Sequence, residues 1–546
     1  MNNFISQNRF LQIGICFIFI IIFNYYLFFL YPMHDPISHN RFVSKTLGSN
    51  MVLQRGDSPA SLYGHSVAPS ALITVTLSDG QHSEIFNVIS SATPSSAGDY
   101  FWIVKMRPTE GSKKKYTITI VSSANEKSVL ENIVFGDVYL CSGQSNMQFS
   151  VSAAFDAESL IAEANNYSFI RIFSVGQDNS ILQETRLADD LISVERVWLE
   201  GSSDNINGPH YMSYFSAVCW QFGKEIYENT LHKEIPVGLI SSTWSGSMIE
   251  AWSPLSVLTN CEKHEDYIKI VEERTYRKRR VTGQFGPNQP SILYNTMITP
   301  FRHMKLTAVV WYQGESNVVN VAAYSCLQIE MIKAWRSAFQ QKLFFIYTQL
   351  AAWNNGGGDG LSAFRLQQET IMLTLPKLAM ASAADLGDPN SPFNPIHPRN
   401  KVEVGRRLAI AAAHLVYNIH LPFRGPEIES VTSFRHKTRG YAVNITFNTF
   451  SCGSGIHIRP VQLCPASMRS IYRGCGLTIL EYSYKDSFSV NAEIEINDCG
   501  MMVYPTQNVM DRPATQLYYG IGDIPLLKVY NSWGIPLLPF KMLISS

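Results

Sequence analysis

A parallel α/β sheet with helices on both faces, flanked by a β-rich module at either end, is the fold class this 546-residue sequence predicts. Three observations predict it. Residues 41–134 carry short alternating strands punctuated by Gly, Pro and Ser, the pattern of a β-sandwich-like module. Residues 135–421 alternate continuous apolar runs with helical patterns, and strand followed by helix, repeated, means a parallel sheet covered on both faces. Residues 422–546 return to short strands and turns, which form a second β-module or complete the first.

Residues 1–40 stand apart. A polar start and Arg9 precede an almost uninterrupted apolar stretch over residues 10–31, rich in Phe and Ile. About 20 such residues span a bilayer, and no Ala-x-Ala-like cleavage site follows. The segment therefore reads either as a cleaved signal peptide or as an uncleaved amino-terminal membrane anchor. Both deliver the chain to the secretory pathway, as a lysosomal or extracellular protein or as one anchored to a membrane with the rest of the chain luminal.

In the first module the strands are expected at 73–77, 100–104 and 116–121. In the central region strands are expected at 138–141, 169–173, 237–240, 308–311, 344–348 and 378–381, and helices at 214–229, 322–339, 364–373 and 401–417. In the last module 441–446 alternates as a strand. The glycine-rich stretch 356–360 lacks the Lys-Ser/Thr helix start of a phosphate cradle and reads as a loop near a site mouth. Functional residues of such sheets lie beyond the carboxyl ends of strands, which is where Ser145, Gly246 and Gln313 fall.

The chemistry concentrates in three segments. Gly143-Gln144-Ser145-Asn146-Met147 ends the apolar run 137–142, Val310-Trp311-Tyr312-Gln313-Gly314-Glu315-Ser316-Asn317 ends another, and Ile396-His397-Pro398 stands just ahead of a helical pattern. Gly-Gln-Ser-Asn after a strand is also ordinary turn chemistry. Joined to a second amide-rich turn and a late histidine, it supplies the serine, the amide donors and the base that acyl transfer requires. Composition agrees with a large enzyme: 46% of residues are hydrophobic, enough for several cores, and 44 basic residues balance 44 acidic ones. That balance leaves no field to hold nucleic acid.

These segments, from Gly136 to Met147, Trp311 to Asn317 and Ile396 to Lys401, resemble the sialate O-acetylesterases, a branch of the SGNH (GDSL-like) hydrolases. The similarity extends to Asn50-Met51-Val52-Leu53-Gln54-Arg55, Ile249-Glu250-Ala251-Trp252-Ser253 and Tyr530-Asn531-Ser532-Trp533-Gly534-Ile535-Pro536, so it covers nearly everything after residue 40. The resemblance implies an SGNH-type, flavodoxin-like catalytic domain. It implies a serine esterase that removes acetyl groups from sialic acids without a metal or cofactor, acting on an acetylated sugar or sialoglycan. The alternatives are an acetylesterase for other polysaccharides such as acetylxylan, or a non-catalytic glycan-binding protein on an esterase scaffold. By resemblance, Ser145 is the nucleophile and His397 the base. The oxyanion donors are the backbone N–H groups of Ser145 and Gly246 with the side-chain amide of Gln313.

Two positions depart from the family pattern. An Asp usually stands three residues before the histidine, and here the residue is Asn394. Asp388 and Asp385 are the nearest carboxylates that could orient His397, and a dyad with a backbone carbonyl holding the ring is the alternative. Ser245-Gly246-Ser247 stands where relatives show Gly-Gly-Thr, which leaves one glycine to take positive φ. Asn146 and Asn317 read as site architecture or polar substrate contacts, and Glu315 as an anchor of its turn. Trp353 and Tyr312 are core aromatics that are also candidates for a sugar floor. Residues 277–280 read as a solvated basic face, and His264, His303 and His457 lack metal-ligand spacing.

Setting Cys16 aside, eight cysteines remain, an even set that suits disulfides in an oxidising lumen. Cys452, Cys464, Cys475 and Cys499 can staple the last module in three ways, and Cys261 and Cys326 complete the set. Cys141 and Cys219 read as buried free thiols. Asn166-Tyr167-Ser168 and Asn444-Ile445-Thr446 fit the glycosylation sequon.

Overall fold

The strand that delivers the serine is 17 residues long, Lys127–Gly143, and it belongs to two sheets in succession. Its first part alternates between exposed and more sheltered positions, and from Ile133 onward it is buried throughout. The first half pairs antiparallel with Ser112–Ser122, which in turn pairs with Leu72–Ser78 and, beyond it, Ser83–Ile89. From Asp137 onward the same strand runs parallel between Val237–Thr243 and Ala308–Tyr312. The expected boundary at 134/135 thus falls inside a continuous strand. The computed structural model that shows this describes residues 41–57, 59–183, 186–261, 286–354, 360–460, 475–483, 487–507 and 512–544. The expected signal or anchor at 1–40, most of the glycine-rich loop, the basic run 277–280, His264 and Cys464 lie outside the described residues.

The central sheet has the order Leu378–Ser382, Phe344–Gln349, Ala308–Tyr312, Lys127–Gly143, Val237–Thr243, Ile170–Val175, Val194–Glu200. Its pairings are parallel except for the edge strand Val194–Glu200. Successive side chains of a strand point to opposite faces, and both faces are covered. On one, Tyr139 packs edge-on against Phe222 of the helix Ala217–Glu225, and Cys141 is disulfide-bonded to Cys219 of that helix. On the other, Trp311, level with Ser142, meets Trp335 of the helix Val321–Phe339 at 5.8 Å.

The Cys141–Cys219 bond corrects the reading of those two residues as free thiols. Apolar surroundings suit a buried thiol and a buried disulfide equally, and only the helix lying over the strand brings the two sulfurs together. Cys261–Cys326 and Cys452–Cys499 are bonded as well, and Cys475 is disulfide-bonded. The expected helix at 214–229 starts later, at Ala217, because Ser216 caps it by accepting from the Cys219 N–H and Tyr214 sits at a φ of 61°. The expected helix at 401–417 is observed as Lys401–Tyr417, capped by the Asn400 side chain.

The carboxyl-terminal residues form a seven-stranded antiparallel sheet with a core of its own around Val443, Leu480, Met501 and Leu517. Buried guanidinium groups dock it onto the central region. Arg365 donates to the carbonyls of Leu350 and Ala351 on one side and of Gly522 and Asp523 on the other, at 2.8–3.0 Å. Tyr312 and Trp353 are both buried, as core aromatics.

Candidate active site

The site begins where three adjacent strands end at one level. Gly143 stands opposite Thr243 on one side and opposite Tyr312 on the other. Its φ is 142°, and a Cβ there would sit 2.1 Å from the Tyr312 carbonyl oxygen, so only glycine lets the chain turn here. Gln144 N donates to Tyr312 O and Trp244 N donates to Gly143 O, each at 3.0 Å. Ser145, 3% exposed, then opens the short helix Ser145–Gln148. Its N–H is among the first-turn amides that have no intrahelical acceptor.

Side-chain amides lock the three turns to one another. Gln144 Oε1 accepts from Gln313 Nε2 at 3.2 Å, Gly314 N at 3.3 Å and Ser316 N at 3.2 Å. Gln313 Nε2 also reaches Ser247 O at 3.1 Å and Asn317 Oδ1 at 2.7 Å. Three protein acceptors face its two hydrogens, so Gln313 stands as a brace between strand ends rather than as a donor with a hydrogen to spare. Asn317 is equally occupied. Its Oδ1 also accepts from Ile249 N at 3.0 Å and its Nδ2 donates to Glu250 at 3.0 Å, within a buried position. Gly246 is exposed, has a φ of 69°, and holds its turn through Asn288 Nδ2, which donates to its carbonyl at 3.0 Å.

His397 Nδ1 lies 2.7 Å from the carbonyl oxygen of Phe393. A carbonyl only accepts, so Nδ1 carries the proton and Nε2 keeps the lone pair of a base. Burial lowers the imidazole pKa; the Phe393 carbonyl opposes this and the positive charge of Lys401 reinforces it, leaving a net depression. Neither expected aspartate touches the ring. Asp388 is held by Arg399, whose Nε and Nη2 donate to it at 2.7 and 3.2 Å. Asp385 takes Arg407 Nη1 and Nη2 at 2.6 and 2.9 Å and the Tyr530 hydroxyl at 2.9 Å. The reading of these two carboxylates as orienters of His397 is therefore corrected: each is spent on a guanidinium. Asn394, at a φ of 77°, builds the turn itself, with its carbonyl accepting His397 N at 2.8 Å and its Oδ1 accepting Ile396 N at 3.2 Å. Asparagine tolerates that left-handed geometry better than most residues.

The serine and histidine turns meet through Asn146. Its Nδ2 donates to Ile396 O at 2.9 Å and to Glu315 Oε1 at 2.5 Å, while its Oδ1 accepts from Lys401 Nζ at 2.5 Å. The residue after Ser145 is thus bonded to the residue before His397. Asn146 is fully buried and makes a knot between turns, the architectural one of the two roles expected of it. Ring packing reinforces the junction: Phe149 meets Phe393 edge-on at 5.4 Å, and Phe393 stacks on the half-exposed Tyr211 at 4.9 Å. Sequence reasoning assigned no role to Lys401 or Gln144, and it offered a backbone carbonyl as the partner of the His397 ring without naming Phe393. One signal for Lys401 was available, because a cation in the first turn of a helix opposes the helix dipole and so asks for a local partner.

The chain matches the family model described as carbohydrate esterase, sialic acid-specific acetylesterase, over residues 135–414. It belongs to that family. Among carbohydrate esterases, it is 34% identical to the sialate O-acetylesterase of Homo sapiens over 416 residues, covering 73% of this chain and 75% of that protein. It is likewise 34% identical to the sialate O-acetylesterase of Mus musculus over 424 residues, 71% and 75% of the two chains. A solved carbohydrate acetylesterase from Xanthomonas citri superposes with a TM-score of 0.71 at 25% identity, covering 92% of this chain and 99% of that one. This carbohydrate esterase is an ester hydrolase acting on acetylated carbohydrate, and its disulfides accord with the secretory pathway.

Proposed function

We propose that this esterase removes acetyl groups from O-acetylated sialic acids through an acyl-enzyme on Ser145, with His397 as general base and acid. The observation that carries the reading is the hydrogen bond from Asn146 to the Ile396 carbonyl, which holds the flanks of serine and histidine together. Ser145 Oγ attacks the acetyl carbonyl carbon while its proton passes to His397 Nε2. The tetrahedral oxyanion is met by the backbone N–H groups of Ser145 and Gly246, and Gln313 acts by bracing the strand ends that aim them. Losing one such donor costs on the order of 3 kcal/mol of transition-state stabilisation. The imidazolium then protonates the departing sugar oxygen as its bond to the acetyl carbon breaks. Water, deprotonated by His397, attacks the acetyl-serine, and acetate leaves as the proton returns to Ser145. The Phe393 carbonyl takes the orienting role of a third triad member, a Ser-His dyad with a backbone partner.

Tyr211, stacked on Phe393 beside the imidazole, offers a flat aromatic edge for the sugar at the surface. The protein would meet its substrate in a lysosomal or extracellular setting, and residues 10–31 would tether it to a membrane if they are retained. Acetate release from O-acetylated sialoside and from acetylxylan, by wild type and Ser145→Ala, tests the proposal. Turnover of the sialoside that vanishes in Ser145→Ala is expected. Faster release from acetylxylan would reassign the substrate, and unchanged release by the variant would remove Ser145 from the mechanism.

A further inference from the structure

Lys401 is a buried cation in the first turn of the helix Lys401–Tyr417. It is fully buried, and its Nζ lies 4.9 Å from the Phe149 ring and 5.7 Å from the Tyr312 ring. Its Nζ donates a hydrogen bond to Asn146 Oδ1. On the other side of that same amide stands the buried Glu315, which accepts from Asn146 Nδ2. The Asn146 amide is therefore clamped between a cation and a carboxylate, oxygen toward the one and nitrogen toward the other. A clamped amide cannot flip, so its second N–H stays aimed at the Ile396 carbonyl, next to His397.

We infer that Lys401 is a positioning residue of the esterase site, acting through Asn146 to hold the His397 turn in register with Ser145 and contributing its positive charge to the setting of His397. The inference rests on the assignment of Ser145 and His397 as nucleophile and base. The charged groups around Lys401 are Glu315 from the turn after Ala308–Tyr312, Asp388 from the histidine loop, and His397 itself. Burial pushes Lys401 down to about 7, against the pull of Glu315 and Asp388, and burial pushes Glu315 up, against Asn146 and Lys401. Below neutral pH Lys401 is thus charged, and that charge opposes protonation of His397. Its removal raises the imidazole pKa and moves the acid limb of activity to higher pH.

The test uses the full chain in four forms: Lys401→Met, Lys401→Gln, Asn146→Ala and the Lys401→Met/Asn146→Ala double variant. Lys401→Met is expected to lower kcat about a hundredfold with KM little changed, the scale of loss that follows small misplacement of reacting groups. The double variant is expected to lose no more than the worse single one, because the two side chains act as a unit. In both Lys401 variants the acid limb of kcat/KM is expected to move upward. Should Lys401→Met fail to fold, Lys401→Gln, which keeps a donor but no charge, still reads the limb. Multiplicative losses in the double variant, unaltered kcat, or an acid limb that stays where the wild type has it would overturn the inference. Full activity in Ser145→Ala would instead overturn the nucleophile assignment, whatever the Lys401 variants do.

Discussion

The two halves of the site are built differently. Ser145 follows directly from a strand whose end is fixed by parallel ladders on both sides, and the turns beside it are joined by backbone bonds at 3.0 Å. His397 lies in an irregular segment between Leu378–Ser382 and Lys401–Tyr417, where side chains hold the shape. Arg399 grips Asp388, Ser391 Oγ donates to the His397 carbonyl at 2.7 Å, and Asn146 reaches across to Ile396. A ladder withstands the loss of one side chain; a loop pinned by three polar contacts does not. The nucleophile's place is thus a property of the fold, and the base's place is a property of particular residues.

That contrast can be broken at several points. The largest effect is expected from the chemistry itself: Ser145→Ala and His397→Ala each lower kcat at least about a thousandfold, and the double variant adds little, because the pair acts as a unit. Acetate release under saturating substrate reads both. Next, Asp388→Asn should lower kcat about tenfold to a hundredfold by loosening the histidine loop, since a small displacement of a base is costly. Asp385→Asn is expected to separate from it. Asp385 belongs to the seam with the carboxyl-terminal module, through Arg407 and Tyr530, and removing a partner from a buried ion pair costs about 3 kcal/mol or more of stability. Thermal unfolding should shift downward while kcat per folded molecule holds. If Asp385→Asn abolished kcat with its melting temperature intact, the two carboxylates would have to exchange roles.

The smallest effect is on pH dependence. Burial, reinforced by Lys401, depresses the His397 pKa against the pull of the Phe393 carbonyl. The neutral imidazole therefore persists to lower pH than a free histidine, whose pKa is about 6.5. Activity is lost as pH falls through the depressed value, so the acid limb of kcat/KM belongs below about 6.5. A limb above that value would mean that the ring is not buried as described.

Much of the serine half was legible in the sequence. Continuous apolar runs marked the parallel strands, and the residues just after them, Ser145, Gly246 and Gln313, fall at adjacent strand ends because such sheets expose their carboxyl ends. The helix 401–417 was legible from its period. The long strand Lys127–Gly143 was not, because its pattern changes from alternating to wholly buried at the point where antiparallel partners give way to parallel ones. Nor was the pairing of Cys141 with Cys219, which depends on which helix covers which strand. On the histidine half, a search for a carboxylate near His397 found Asp385 and Asp388, yet proximity along the chain says nothing of the arginines that occupy them. A backbone carbonyl such as that of Phe393 leaves no mark on a sequence at all, and the bracing role of Gln313 required knowing how many acceptors surround it.

The central claim is that Ser145 is the attacking group. Labelling the wild-type protein with a serine-directed fluorophosphonate, followed by mass mapping of the modified peptide, tests it most directly. A single adduct on Ser145, formed in step with the loss of acetate release and reduced in His397→Ala, is the predicted result. Complete inactivation with the adduct on another residue, or full activity with Ser145 stoichiometrically modified, would contradict it.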